Sequence, residues 1–294
     1  MSEVDDMPKR WKRTTRAILV QESRASRVAV FATVISLFYL SSPLKTFSAA
    51  KLSAQITDAT ELVAKIGERL ASHPKLDSWQ AKAHSTTSYM NSAWKPKKTT
   101  TTEKTVTVDG GLWSEEILSA AETKDGKTRD VTKKLREKAR ARAEKQKRQS
   151  ADKRKNEQRS RGRRSLDMIR DEALPFGPGK RSGYDFTVKG TADLDGTPAI
   201  LLQSRSRVRS EEKFEGRYYI HPDTFDVLRA ELTIAKRPGP LKRIEMKVDF
   251  LVLPEGHMVM KKAVIRIHIV IIVKNIRIEA VETYSDYVVR GEHR

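Results

Sequence analysis

The residue types that could do chemistry in this chain do not stand at the spacings that known reactions require. The six histidines form neither an HExxH pattern nor another metal-ligand spacing, and no GxSxG nucleophile elbow is present. Gly177–Ser182 resembles a phosphate-binding loop, but it lacks the GxxxxGK(S/T) spacing, and Pro178 removes a backbone donor. Asp185 and Glu211-Glu212 offer carboxylates that nothing pairs. We therefore predict a protein that is not an enzyme, with no catalytic residue, no metal site and no cofactor.

The composition limits the packed part of the chain and favours anionic partners. Of 294 residues, 38% are hydrophobic and 33% are charged, so a core can form over part of the length only. The formal net charge of +20 favours nucleic acid, phospholipid headgroups or acidic polymers. The chain has no cysteine, which excludes disulfides, thiolate metal sites and a cysteine nucleophile, and which suits an exported bacterial protein.

Residues 1–50 have the layout of a secretory signal peptide. Seven Lys and Arg residues precede Val28–Leu40, which is 13 residues long and uncharged. This stretch is shorter than the about 20 residues that span a bilayer, and Pro43 ends it. Ser48-Ala49-Ala50 then suits cleavage after Ala50. We predict a periplasmic protein; the alternatives are an uncleaved inner-membrane signal anchor and a buried helix with a basic flank.

Before residue 130 the pattern indicates one helix followed by strands. Apolar residues recur at three- and four-residue spacing over 51–72, which predicts an amphipathic helix that ends at His73-Pro74. We read part of Ser78–Trp94 as a first strand, and the alternating Lys97–Val108 as a second. Leu112–Glu122 is interpreted as a short helix or an irregular link.

From Tyr184 onward the pattern predicts an antiparallel meander. Turn signals such as Asp195-Gly196 and Pro254-Glu255-Gly256 separate seven strand-like runs: Tyr184–Ala192, Thr197–Val208, Phe214–Ile220, Val227–Ala235, Arg243–Leu253, His257–Val273 and Asn275–Tyr287. The predicted fold class is thus α+β and mainly β, in one domain over 51–294. Several runs alternate strictly, which places an aliphatic set on one face of the sheet and charged residues on the other.

A single helix is narrow against a sheet of about seven strands, so part of the aliphatic face would remain for a ligand's acyl chain. The candidate lining residues are Ile200, Leu202, Leu232, Met246, Val248, Phe250, Ile267 and Ile269. The alternative is that loops and a second helix complete an ordinary closed core, because large exposed apolar patches are uncommon in monomers.

The order of signal peptide, amphipathic helix and meander resembles the periplasmic LolA/LolB-like family of outer membrane lipoprotein-sorting proteins. The stretches that carry the resemblance are Glu61–Trp94, Tyr218–Glu231 and Glu282–Tyr287. The second contains the family-like phrase residues Ile220, Asp223, Thr224, Val227 and Arg229, and the third reads ETYSDY. The resemblance implies a half-open β-barrel around a helical plug, with an apolar cavity that binds lipid or lipoprotein acyl chains.

A basic insertion at about 130–170 is not part of that family pattern. Lys133–Arg164 contains 16 Lys and Arg residues and four acids, without proline, which predicts a helix with almost no apolar face. The segment is either a solvated excursion, a contact for anionic headgroups or a nucleic-acid contact, and the last is disfavoured because the segment has no aromatic residue to stack on bases. The candidate contacts with an anionic membrane surface are Lys133, Lys134, Arg140, Arg142, Lys147 and Arg148.

Three functions remain open at this point. The first is a periplasmic carrier that holds a lipid or lipoprotein acyl chain in an apolar cavity. The second is a structural or sensory module of the cell envelope whose sheet packs on a protein partner. The third is a cytoplasmic nucleic-acid binder, which requires that residues 1–50 are not removed.

Overall fold

The computed structural model describes residues 58–74, 76, 78–109, 112–156, 174–239, 241–271 and 274–290. All of them belong to one structural unit, Ala50–Arg294. The predicted signal peptide at 1–50 lies outside the described residues. So do the first seven residues of the predicted helix over 51–72 and the part of the basic insertion that follows residue 156.

Three helices and eleven strands make up the described part of the chain. The helices are α1 (Ala59–Ser72), α2 (Thr132–Asn156) and α3 (Pro178–Arg181). The strands are β1 (Ser78–Met90), β2 (Pro96–Asp109), β3 (Leu112–Lys124), β4 (Lys127–Asp130), β5 (Tyr184–Leu194), β6 (Thr197–Ser206), β7 (Phe214–Ile220), β8 (Val227–Ile234), β9 (Leu241–Val252), β10 (Met258–Ile271) and β11 (Lys274–Val289).

All strands form one antiparallel sheet in the order β4-β3-β2-β1-β11-β10-β9-β8-β7-β6-β5. The strands β1–β4 form one meander and β5–β11 form another. The two meanders are joined where β1 pairs with β11, a contact between the two ends of the described chain. β4 and β5 form the two edges and do not pair with each other among the described residues, so the sheet is open. The predicted mainly-β fold, an open antiparallel sheet around an N-terminal helix, is confirmed.

The sheet is larger than the sequence indicated because Leu112–Glu122 is a strand and not a helix or an irregular link. A bulge at Leu118, opposite Glu103/Lys104, interrupts the alternation of β3. Ile117 and Ala120 consequently lie on the same side of β3 although they are three residues apart, a spacing that imitates a helix. The seven strand-like runs after Tyr184 are all strands, with ends that shift by a few residues.

Helix α1 begins where the sequence supplies a cap and ends before a proline. The side chain of Asp58 accepts a hydrogen bond of 2.7 Å from the backbone N–H of Thr60. Leu62, Val63 and Ile66 are buried and join one core with the sheet. Removing such side chains from water supplies most of the stability of a short helix, which would be marginal on its own.

Gly216 in β7 provides a sharp test of how closely β7 and β8 approach. A β-carbon at this position would lie 2.0 Å from the carbonyl oxygen of Glu231. Gly216→Ala must push the two strands apart, so we expect a loss of about 1–3 kcal/mol in the free energy of unfolding. Urea denaturation measures it. The matched control is Gly239→Ala, where the added β-carbon meets nothing within 4 Å; equal losses in the two variants would contradict the packing described here.

Candidate functional site

The strand register places one continuous set of side chains on the face that α1 covers, which we call the inner face. One cross-strand row of this face runs through Val188, Leu202, Tyr218, Ala230, Val248, Ala263, Glu282, Ser85, Thr102 and Ala120. The next row runs through Phe186, Ser204, Gly216, Leu232, Met246, Ile265, Ala280, Thr87, Thr100 and Glu122. Since side chains alternate with period two, each row lies on one surface.

The eight predicted lining residues all lie on the inner face, but they differ in accessibility. Six of them are buried in the core: Ile200, Leu202, Leu232, Met246, Val248 and Phe250. Ile267 and Ile269 are half-buried. The buried six belong to the same core cluster as Leu62, Val63 and Ile66 of α1 and as Phe176, whose ring centroid lies 4.8 Å from that of Tyr218. A ligand would therefore meet Ile267 and Ile269 first, and the other six only if α1 moves.

The inner face extends beyond the core at the tips of β9, β10 and β11. Six half-buried aliphatic residues form what we call the aliphatic strip: Leu241, Ile244, Ile267, Ile269, Ile276 and Ile278. They pair across the strands as Ile244–Ile267–Ile278 and Leu241–Ile269–Ile276. None of the six belongs to the core cluster or packs against it in the described part of the chain, where Ile265 is the last core neighbour on β10. The strip thus continues the apolar surface past the region that α1 covers.

On the other side of β11 the inner face changes from aliphatic to hydroxylated. Ser85 and Thr87 on β1 continue the two cross-strand rows, as do Thr102 and Thr100 on β2. All four are half-buried. This change was not predicted from the sequence, in which the threonines of β2 indicated only a strand. A molecule lying on this face would contact hydrocarbon at β9–β11 and hydrogen-bonding groups at β1–β2.

A buried ion cluster marks the boundary between the packed core and the hydroxylated area. The Lys104 ammonium lies 2.6 Å from Glu115 Oε1 and 2.7 Å from Glu282 Oε1, and the Lys104 side chain is 10% exposed. Burial lowers the pKa of Lys104, but attraction by Glu282 and Glu115 raises it by more. Glu282 Oε1 has no hydrogen bond of good geometry, so it meets Lys104 as an ion pair only. Burial also raises the pKa of the Tyr284 hydroxyl beside this cluster.

A second cluster fastens the end of α1 to two turns of the sheet. The His73 ring places Nδ1 at 2.6 Å from the carbonyl oxygen of Gly256 and Nε2 at 2.9 Å from Asp226 Oδ1. The ring therefore lies between two oxygen atoms, one on the β9–β10 turn and one on the β7–β8 turn. Arg69 also donates to Asp226, at 2.7 Å and 3.2 Å. The contact between His73 and Asp226 was not predicted from the sequence, because the two residues are 153 positions apart.

The charge of Asp226 is what makes this fastening possible. Burial raises the pKa of Asp226, but hydrogen bonds from Arg69, Thr224 and His73 together with attraction by Arg69 lower it by more, so the net pKa lies below the usual range. A carboxylate with a lowered folded-state pKa contributes stability above its unfolded pKa, and that contribution is lost as the pH falls through the folded value. The α1 end is therefore held at neutral pH.

The outer face of the sheet is charged, as the alternation predicted. Arg266 on β10 donates to Glu279 on β11 at 2.6 Å, and Lys82 on β1 lies 2.9 Å from Asp286. Arg229 is ion-paired with Asp249. These pairs are cross-strand neighbours or close to it, which favours the observed register over a slip of one residue.

The basic candidates lie on α2, whose first turns are fixed to the inner face. Lys133, Lys134, Arg140 and Arg142 are exposed, and Lys147 and Arg148 also fall within α2. Leu135 and Ala139 pack on Ile117 and Ala120 of β3 together with Val131 in a small separate cluster.

The described residues contain no group of three or more His, Cys, Asp or Glu side chains that could hold a metal ion. Within the same ranges, no helix combines the length and the apolar character needed to cross a bilayer.

No family model and no curated protein matches the chain. Among solved structures, it is similar to a LolA superfamily protein from Nitrosomonas europaea, with 12% identity, a TM-score of 0.34, and coverage of 79% of this chain and 93% of the other. A DUF1329 family protein from Desulfovibrio piger matches with 10% identity, a TM-score of 0.37 and coverage of 81% and 96%. The MucA/MucB complex of Pseudomonas aeruginosa matches with 11% identity, a TM-score of 0.24 and coverage of 78% and 94%.

The buried histidine gives the first test of this site. His73→Ala leaves the Gly256 carbonyl without its donor and removes one partner of Asp226, so we expect about 1–3 kcal/mol less free energy of unfolding. Thermal unfolding at pH 7 measures it. His84→Ala, at an exposed position of β1, is the control and is expected to change little. An unchanged melting temperature for His73→Ala would rule out the fastening role.

The lysine between two carboxylates gives the second test. Lys104→Met keeps the side-chain length but leaves Glu115 and Glu282 facing each other without a cation. Such a pair relieves its repulsion by taking up a proton, so the free energy of unfolding of the variant should rise as the pH falls from 8 to about 5. In the unsubstituted protein the pKa of Lys104 is raised, so the charged lysine contributes stability at neutral pH. That contribution is lost only as the pH rises above about 10.4. Urea denaturation at both pH values measures the free energy of unfolding of the variant. A variant that is less stable at the lower pH would contradict the role of Lys104 as the cation between Glu115 and Glu282.

Proposed function

We propose that this protein is an exported carrier of the cell envelope that binds the acyl chain of a lipid or a lipid-modified protein on its inner face. The observation that supports the proposal is the aliphatic strip, an in-register apolar surface that continues past the core and that α1 does not cover. Each methylene group that such a surface removes from water contributes about 0.8 kcal/mol to binding. The proposed activity is binding and release, without a chemical step.

The location of the polar groups supports an amphiphilic ligand. The acyl chain would lie along Ile267, Ile269 and Ile278, since these residues are half-buried and follow the core neighbour Ile265 on the inner face. The headgroup or the attached peptide would then reach the hydroxyl groups of Thr87 and Thr100, which occupy neighbouring strands on the same face. This arrangement gives the ligand an orientation as well as affinity, because each end meets a surface of its own polarity.

The buried lining residues would be used only by a longer or a second chain. Leu232, Met246 and Val248 are buried in the core that α1 joins, and α1 is fixed by Arg69 and His73 to Asp226. Displacing α1 would open these residues to an acyl chain at the cost of the contacts to Asp226. A ligand that binds the strip alone avoids that cost, so the proposal places short or single chains at the strip.

The location follows from the predicted signal peptide at 1–50. An exported carrier would act in the periplasm, between two lipid bilayers, where the transfer of an acyl chain through water requires a covered apolar surface. Intact-mass analysis of the native N-terminus tests this part separately: a mature chain that begins near Lys51 supports export, and an intact Met1 terminus supports an anchored or a cytoplasmic protein.

The binding proposal is tested with a fluorescent fatty acid and the pair Ile267→Asn and Ile278→Asn. We expect the double variant to bind the probe at least about tenfold more weakly, because two apolar contacts are lost and two amides must be desolvated. The control is Val208→Asn with Val288→Asn, at positions that are 66% and 57% exposed outside the strip. Melting curves verify that all variants fold.

Two results would contradict the carrier proposal. One is equal probe binding by the strip variant and the control. The other is the absence of acyl chains in a mass-spectrometric extract of the native protein, together with a stoichiometric protein in a pull-down. That combination would favour the envelope module that packs on a protein partner.

A further inference from the structure

Helix α2 carries far more positive charge than its packing on the sheet requires. Thr132–Asn156 contains twelve Lys and Arg residues and three acids. No acidic residue stands in the first turn, where the helix dipole favours negative charge, and Lys133 and Lys134 stand there instead. The sequence of α2 is therefore not arranged to stabilise an isolated helix.

The spacing of the basic residues also disfavours an isolated helix. Lys134 and Lys138, Arg136 and Arg140, and Lys138 and Arg142 are like-charge pairs at i and i+4. Such pairs lie on neighbouring turns of a helix and repel each other. A layer of negative charge against the helix would turn these repulsions into attractions. An anionic surface would therefore relieve the repulsion within the run Lys134–Arg142.

The first turns of α2 are fixed to β3 by hydrogen bonds, so the orientation of the helix is coupled to that of the sheet. Arg136 donates to the carbonyl oxygens of Ile117 at 2.7 Å and Leu118 at 2.8 Å, which the bulge of β3 leaves available. Thr132 Oγ1 accepts from the backbone N–H of Ala120 at 2.8 Å. The register places Ala120 beside Thr102 and Ile117 beside Lys104, so α2 starts from the inner face.

We propose that α2 docks the protein on anionic phospholipid headgroups through its exposed basic residues Lys133, Lys134, Lys138, Arg140 and Arg142. This goes beyond the proposed function, because it concerns how the protein meets a bilayer and stands whether or not the inner face holds an acyl chain. Lys and Arg side chains near an anionic membrane surface each add to binding without inserting, which suits a helix whose mean hydropathy is low. Nucleic acid is disfavoured because Thr132–Asn156 contains no aromatic residue to stack on bases.

The proposal is tested by sedimentation of the full chain with phosphatidylcholine vesicles that contain about 30 mol% phosphatidylglycerol, against vesicles of phosphatidylcholine alone. The first variant combines Lys138→Glu, Arg140→Glu and Arg142→Glu. We expect its binding to the anionic vesicles to be at least about tenfold weaker, and the binding of the unsubstituted protein to fall steeply on going to about 0.5 M salt.

The matched control combines Lys189→Glu, Arg205→Glu and Lys261→Glu, three exposed positions on β5, β6 and β10. It makes the same change in net charge, so we expect binding within about twofold of the unsubstituted protein if the site is α2. A set with glutamine in place of glutamate at 138, 140 and 142 should show an intermediate loss, and it replaces the first variant if charge reversal disturbs the fold.

Equal losses in the α2 variant and the control would overturn the proposal, since net charge alone would then explain binding. It would also be overturned if the α2 variant lost binding to a single-stranded oligonucleotide while its vesicle binding stayed unchanged. Fatty-acid binding, measured on the same α2 variant without vesicles, should be unaffected. A failure of vesicle docking is thus separable from a failure of the carrier function.

Discussion

The structure depends on the two-residue period of its strands being kept in register across the sheet. Rows of side chains such as Val188–Leu202–Tyr218 and Ala230–Val248–Ala263 meet on one face only because no pairing slips by a single residue. A slip would carry a strand's aliphatic residues to the outer face and its charges into the core. The ion pairs of the outer face act against such a slip, since Arg266 meets Glu279 and Arg229 meets Asp249 only in the observed register. The charges outside therefore help to keep the surface inside apolar.

Much of this could be predicted from the sequence because it depends on local alternation. The runs around Met246, Val248 and Phe250 and around Ile265, Ile267 and Ile269 have the period of a strand, and the structure places both on the inner face. The helix at α1 follows from its apolar spacing and from His73-Pro74, where it was predicted to end. Both features are visible in the sequence because each depends on a periodic pattern within a single strand or helix.

What the sequence did not predict requires information about distant residues or about an irregular backbone. The bulge at Leu118 interrupts the alternation of β3, so the strand was not predicted. The surface of β3 on which α2 packs was therefore not predicted either. His73 and Asp226 meet only after the helix and the β7–β8 turn have been brought together. Lys104 is one of many lysines in the sequence, and nothing nearby in the chain marks it as the partner of Glu282, which lies two strands away across β1. In each case the signal is a tertiary contact.

Helices α1 and α2 pack on the inner face at different places. Their positions relate the two proposed functions, acyl-chain binding on the inner face and membrane docking through α2. Helix α1 joins the core of the inner face together with Phe176 and is held by a charged contact to Asp226. Helix α2 starts from the same face at β3 and carries its charge outward. The residues of the aliphatic strip belong to neither cluster in the described part of the chain, and the hydroxyl groups of β1 and β2 continue the inner face beside the strip. An anionic bilayer that attracts α2 would bring its headgroups towards the hydroxylated half of this face. The polar half of the inner face would then meet the polar layer of the membrane first, with the aliphatic strip next to it on the same face. Such an arrangement lets an acyl chain pass from one apolar surface to another with little exposure to water.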